Sequence, residues 1–118
     1  MSILFVGYPK CSTSQRAKKW LDEHNVKYNQ RHIKDENPTS NELEQWHKIS
    51  GLPLKRFFNT SGILYRELKL KDKLPQMEES EQIELLASDG MLVKRPIVVT
   101  QDFVLVGFKE SEWEQKLL

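Results

Sequence analysis

The chain has 118 residues, 38% hydrophobic and 30% charged, with 18 basic and 17 acidic side chains giving a formal net charge of +1. That length suits one domain on one core, and the apolar content is too high for general disorder. The balanced charge leaves no global field that would gather phosphates, so direct nucleic-acid binding is not expected, and one cysteine makes neither an internal disulfide nor a thiolate metal cage.

The start, MSILFVGYPK, is apolar for only about six residues, short of the roughly 7–15 of a signal peptide. Nothing approaches the roughly 20 apolar residues of a membrane span. A cytoplasmic chain that does not enter membranes is therefore expected. Ile3 to Val6 is a short apolar run closed by Gly7 and Pro9, the pattern of a buried strand ending in a turn. Ser12 or Thr13 is expected to cap the helix that follows. Ala17, Trp20 and Leu21 recur there at three- and four-residue spacing opposite Lys18, Lys19, Asp22 and Glu23, to about His24. Lys27 to Ile33 reads as a second strand, and the close succession of strand, helix and strand suggests a right-handed βαβ unit with the two strands parallel.

Thr39 or Ser40 caps the next helix, whose apolar face is assigned to Leu43, Trp46, His47 and Ile49–Ser50 and which Gly51 ends. Pro53 to Ser88 reads as broken helix: PLKRFF, a turn at NTSG, then ILYRELKLKDKL, then Glu79 to Ser88. Ile97, Val98 and Val99 form a strand opened by Pro96, and a tight turn at Gln101–Asp102 leads into Phe103 to Gly107. Ser111 is expected to cap a last helix containing Trp113 and Leu117. This order predicts an α/β, thioredoxin-like (glutaredoxin-like) fold in a single domain over residues 1–118. A four-stranded mixed sheet lies between helices, with an enlarged helical insertion at about residues 39–90.

The chemistry centres on Cys11. A cysteine at the start of a helix meets unpaired amides and the positive end of the helix dipole, and both favour thiolate. Ser14, three residues on, can turn its hydroxyl back to the sulfur, and Lys10 and Arg16 add positive charge nearby. The plainer alternative is a buried apolar filler, but Pro9, Lys10, Ser12, Thr13 and Ser14 make a polar setting that suits a reactive thiol better. In a thioredoxin-like sheet, Pro96 faces the cysteine loop, where a cis X–Pro bond costs little. Arg95 then points toward the thiolate, as an anion partner or a pKa-lowering charge; a solvated arginine beside Lys94 is an equally open reading. His24, His32 and His47 are unclustered and lack metal-ligand spacing, so no metal site is expected. Trp20, Trp46 and Trp113 read as core, and Lys69, Lys71 and Lys73 as a solvated face.

YPKCSTSQRAKKWL, GLPLKRFFNTSG, KRPIVV and VGFKESEW, in this order, resemble the arsenate reductase (ArsC) and Spx family of thioredoxin-fold proteins over essentially the whole chain, and its YffB-like members most. The resemblance implies that Cys11 is the nucleophile and Arg95 its anion and thiolate partner, with Ser14 assisting. Lys10, Ser12, Thr13, Asn59 and Pro96 are then expected around the substrate. Arsenate reductases of this type use two further arginines. Asn59 and Gly107–Phe108 stand at those places and Lys55, Arg56 and Arg66 lie elsewhere, so efficient arsenate reduction is not expected. The implied function is a glutathione-dependent monothiol oxidoreductase with no bound cofactor, glutathione as co-substrate and glutaredoxin as a further partner. The alternative is an Spx-like adaptor on the RNA polymerase alpha subunit, for which Gly51 and its surroundings would matter more than Cys11.

Overall fold

The computed structural model describes residues 2–118. Its first strand, β1 (Leu4–Gly7), is followed by helix α1 (Ser12–Glu23) and strand β2 (Asn29–His32). Helices α2 (Ser40–Ser50), α3 (Ile63–Glu67), α4 (Leu70–Lys73) and α5 (Glu79–Ser88) come next, with 3₁₀ turns at Leu54–Phe57, Leu74–Gln76 and Gly90–Leu92. Strands β3 (Ile97–Val99) and β4 (Val104–Val106) and helix α6 (Glu110–Leu117) complete the chain. The fold is α/β, with one mixed sheet in the order β2-β1-β3-β4. β1 runs parallel to β2 and antiparallel to β3, and β3 and β4 are antiparallel.

The period-two alternation of a strand explains why this sheet has two cores. Phe5, Val98 and Leu105 face one side and pack with Ala17, Trp20, Leu21 and Trp113 of α1 and α6. Val6, Ile97, Val104 and Val106 face the other and pack with Leu43, Trp46, Phe57, Phe58, Tyr65, Leu86 and Val93. Strands covered on both faces read as continuous apolar runs, as β1, β3 and β4 do. β2 lies at the sheet edge and is polar, NQRH, with Asn29 and Gln30 exposed.

The helix boundaries follow the caps, and two differ from expectation. Cys11 itself, not Ser12 or Thr13, is the N-cap of α1: its backbone is extended and its carbonyl accepts the Gln15 N–H at 3.0 Å. The turn leaving β1 commits the chain to helix one residue early, so Ser12 already lies inside it. Likewise Lys109, not Ser111, caps α6, its carbonyl accepting the Trp113 N–H at 3.0 Å. α2 begins as expected, with a reciprocal capping box between Thr39 and Glu42, and ends at Gly51 in the left-handed region at φ 67°. Ile49 is not part of its buried face, being 40% exposed, because Leu43 and Trp46 define a stripe that Ser50 continues at the next four-residue step. β2 is shorter than Lys27 to Ile33, although Ile33 is fully buried.

The returning insertion docks beneath β2. Gly90 lies so close to the Ile33 carbonyl that a Cβ there would overlap its oxygen, and only glycine allows that approach. Asn37 Nδ2 donates to the Ala87 carbonyl at 2.7 Å on the same seam. No described helix is long and apolar enough to cross a membrane.

One ion pair ties the β2 edge to α2. Arg31 donates to both oxygens of Glu42 at 2.6 and 2.9 Å, and also to the carbonyls of Glu36 and Asn37. The Arg31 hydrogen bonds hold the Glu42 carboxyl down at about 2 against the upward push of burial, helped by Thr39. A depressed carboxylate stabilises the fold above its ordinary value of ~4.3 and loses that contribution as pH falls toward its folded value. Glu42→Gln is therefore expected to cost about 1–2 kcal/mol at pH 7, allowing for solvent screening. Urea unfolding should show that deficit shrinking between pH ~4.5 and pH ~2; a pH-independent deficit would mean that the charge is not what matters.

Candidate functional site

The sheet places the site. β1 ends at Gly7, and a tight turn, closed by the Cys11 N–H donating to the Tyr8 carbonyl at 2.9 Å, delivers Cys11 to the start of α1. Beside it, antiparallel pairing sets Val6 opposite Ile97, so the Arg95–Pro96 segment that enters β3 stands against the loop that leaves β1. The Arg95–Pro96 bond is cis.

Cys11 is partly exposed. Burial pushes its thiol up, but hydrogen bonds outweigh that: the Ser14 amide and hydroxyl, the Thr13 amide and the Arg95 guanidinium together hold it below its ordinary value. Ser14 is buried at 3% exposure, and its oxygen accepts the Tyr8 N–H at 3.2 Å, which leaves the hydroxyl proton free for the sulfur. Arg95 is held from behind. Its Nη1 donates to the carbonyls of Met91 and Val93 at 3.2 and 3.3 Å, and its guanidinium lies 5.4 Å from the centre of the Tyr8 ring. An arginine held in this way needs little reorganisation to meet an anion.

A cleft of about 450 Å³ opens over the sulfur. Cys11, Thr13, Asn59 and Arg95 line it; so do Ser61, Gly62, Ile63 and Leu64 from the start of α3, and Met91 and Lys94. Ser14 is buried and outside its lining, bonded to the Tyr8 N–H. Lys10 and Ser12 are exposed and lie outside its lining, and Pro96 is buried below it. Arg16 turns away to the Thr13 hydroxyl at 3.4 Å. The Asn59 N–H donates to the Leu92 carbonyl at 2.8 Å, which docks the insertion as the third wall.

The wall formed by residues 61–64, and Lys94, were not read from the sequence as part of the site. Lys94 was visible only as a neighbour of Arg95. Its stem passes Gly107, where a Cβ would lie 3.5 Å from its Cε, and Gly107 adopts φ 80°. The histidines lie in three separate places: His24 on Trp20, His32 beside Tyr8 and Asp35, and His47 beside Phe57 and Glu79.

Residues 6–116 match the model of the ArsC family. The crystal structure of an ArsC family related protein from Bacteroides fragilis is 63% identical, with a TM-score of 0.95 over 98% of this chain and 97% of that one. The uncharacterized protein YusI of Bacillus subtilis is 55% identical over 98% of each chain. An arsenate reductase structure from Vibrio cholerae is 25% identical, with a TM-score of 0.85 over 100% of this chain and 98% of that one. The global transcriptional regulator Spx of Staphylococcus saprophyticus is 29% identical over 95% of this chain and 83% of its own length.

The geometry makes Ser14 a direct tuner of the thiol. Ser14→Ala removes a hydroxyl that holds the thiol down, so the midpoint for alkylation of Cys11 by iodoacetamide, followed against pH, should rise. Because a lowered thiol pKa keeps thiolate present to lower pH, wild-type reactivity should persist below the ~8.5 of a free cysteine and the variant should lose it first. An unchanged midpoint would show that the hydroxyl does not act on the sulfur.

Proposed function

Since the chain belongs to the ArsC family, we propose that it is a glutathione-dependent monothiol oxidoreductase in which the Cys11 thiolate attacks an oxidised substrate or a mixed disulfide. Family membership and the arsenate reductase among its structural neighbours support the thiol-oxidoreductase class. The observation that carries the reading is the place of Cys11: a partly exposed thiol at the start of α1, in a cleft that Thr13 and Arg95 also line, with its thiol held below the ordinary value.

In the first step the Cys11 thiolate attacks one sulfur of a disulfide. A new S–S bond forms to Cys11, the old one breaks, and the other half leaves as a thiolate that Arg95 is placed to stabilise. Cys11 is the only cysteine, so no internal thiol resolves the adduct. In the second step the thiolate of glutathione, or of glutaredoxin acting with it, attacks the sulfur held by Cys11, forms a new disulfide with that half and releases Cys11 as thiolate. Such a thiol stays reduced in a cytoplasmic setting. Arsenate is a poor fit: Asn59 lines the cleft where a second arginine would serve, and Gly107 offers no side chain. Lost charge-assisted bonds are worth ~1.5–3 kcal/mol each.

A second reading is an Spx-like adaptor that binds the RNA polymerase alpha subunit, favoured by the regulator among the relatives. Gly51 is exposed at the end of α2, and nothing lies within 4 Å of where its side chain would be, so the surface there is open to a partner. An alpha-subunit pull-down that is lost in Gly51→Arg and retained in Cys11→Ser would favour this reading.

The oxidoreductase reading is tested by intact mass. After incubation with oxidised glutathione, wild type should gain one glutathione at a rate whose midpoint lies below pH ~8.5, reduced glutathione should remove it, and Cys11→Ser should gain nothing. An adduct forming only at strongly alkaline pH would overturn the proposal.

A further inference from the structure

The cleft over Cys11 does not end at Lys94. A second recess of about 290 Å³ shares that residue and runs along the 3₁₀ turn Leu54–Phe57, lined also by Pro53, Lys55, Arg56, Phe58 and Thr60. The local sequence explains its charge. Leu54 and Phe57 are buried and anchor the turn, so Lys55 and Arg56 between them are forced outward. The turn is fixed to the entry of β3 by the Lys94 N–H donating to the Phe57 carbonyl at 2.8 Å and by the bridge between Phe58 and Val93. The two recesses therefore share one rigid wall.

Their electrostatics are one-sided. Lys55, Arg56 and Lys94 line one recess together and, like most of the lysines and arginines, make no ion pair among the described residues. No carboxylate lines either recess, although the chain holds 17 acidic residues. Grouped cations repel one another, and a cleft lined by one sign of charge concentrates ligands of the other. The sulfur end of the path offers a nucleophile and a guanidinium; the far end offers two cations free to bind an anion.

We propose that the two recesses form one extended site for a low-molecular-mass disulfide with a carboxylate-bearing tail: the reacting sulfur sits at Cys11 and the tail carboxylate lies among Lys55, Arg56 and Lys94. This rests on the thiol–disulfide reading above and specifies its substrate class. The chemistry is one exchange. The Cys11 thiolate takes one half of the disulfide into a new S–S bond, and the other half departs with the electron pair of the broken bond as a thiolate. Which half stays is set by the tail, since the carboxylate end bound at Lys55 and Arg56 presents its own sulfur to Cys11.

The test compares adduct formation, by intact mass, with oxidised glutathione, whose tails carry net negative charge, and with bis(2-hydroxyethyl) disulfide, which is neutral. The quantity read is the ratio of the two rates. In Lys55→Glu/Arg56→Glu that ratio is expected to fall about five- to tenfold at low salt, as reversal of two exposed charges allows. Lys27→Glu/Lys116→Glu makes the same change in net charge on exposed residues at the opposite end of the sheet, beside Asn29 and Phe103, and should move the ratio less than about twofold. Equal ratios in all three proteins would overturn the extended site while leaving the reactive thiol standing. Failure of wild type to react with either disulfide would overturn the thiol–disulfide reading itself, and the extended site with it.

Discussion

The pairing of β1 with β3 is the constraint on which the site depends. Antiparallel register places Val6 opposite Ile97, so the residues that follow one strand lie beside those that precede the other. Cys11 and Arg95, 84 positions apart in the sequence, meet for that reason alone. A slip of one residue would exchange the two cores, sending Phe5 and Val98 to the face that Val6 and Ile97 now fill. With both faces buried, that slip is prohibitively expensive, and the thiol–guanidinium geometry inherits the stability of the core.

The helical insertion turns this junction into a cleft. Without it, Cys11 would sit at the open end of a sheet. The Asn59–Leu92 and Phe57–Lys94 backbone bonds and the Phe58–Val93 bridge sew the insertion to the segment entering β3, and α3 then supplies the wall opposite the sulfur. The same stitching turns Lys94 into a shared wall between the thiol cleft and the basic recess beside it. Gly90, pressed against the Ile33 carbonyl, and the Asn37–Ala87 bond fix where the insertion returns.

The thiol itself is a balance between opposing effects. Burial disfavours the thiolate, and the donors at the helix start and from Arg95 more than offset it. Each donor is held by something other than the sulfur: Ser14 by the Tyr8 amide, Arg95 by two carbonyls and the Tyr8 ring. Tyr8 thus braces both partners of Cys11 without touching the chemistry. Arg31 and Glu42 perform the equivalent bracing at the far edge of the sheet.

Much of this was written in local sequence. The apolar run at Ile97–Val99, the Thr39–Glu42 spacing and Gly51 specify their elements through interactions within a few residues, and the setting of Cys11 among polar neighbours at a strand–helix junction marks it for chemistry. The pattern of strands and helices was enough to give the thioredoxin-like sheet. The caps of α1 and α6 were misplaced because a cap is set by where the backbone leaves the sheet, and serine is only one way to satisfy it. Ile49 was misassigned because the burial stripe of α2 is fixed by what packs against Leu43 and Trp46. The lining at Ser61–Leu64, the role of Lys94 and the unpaired group of Lys55, Arg56 and Lys94 have no local signature. They arise where the insertion folds back on the sheet, and only tertiary packing decides which charges face one another and which are left without a counterion.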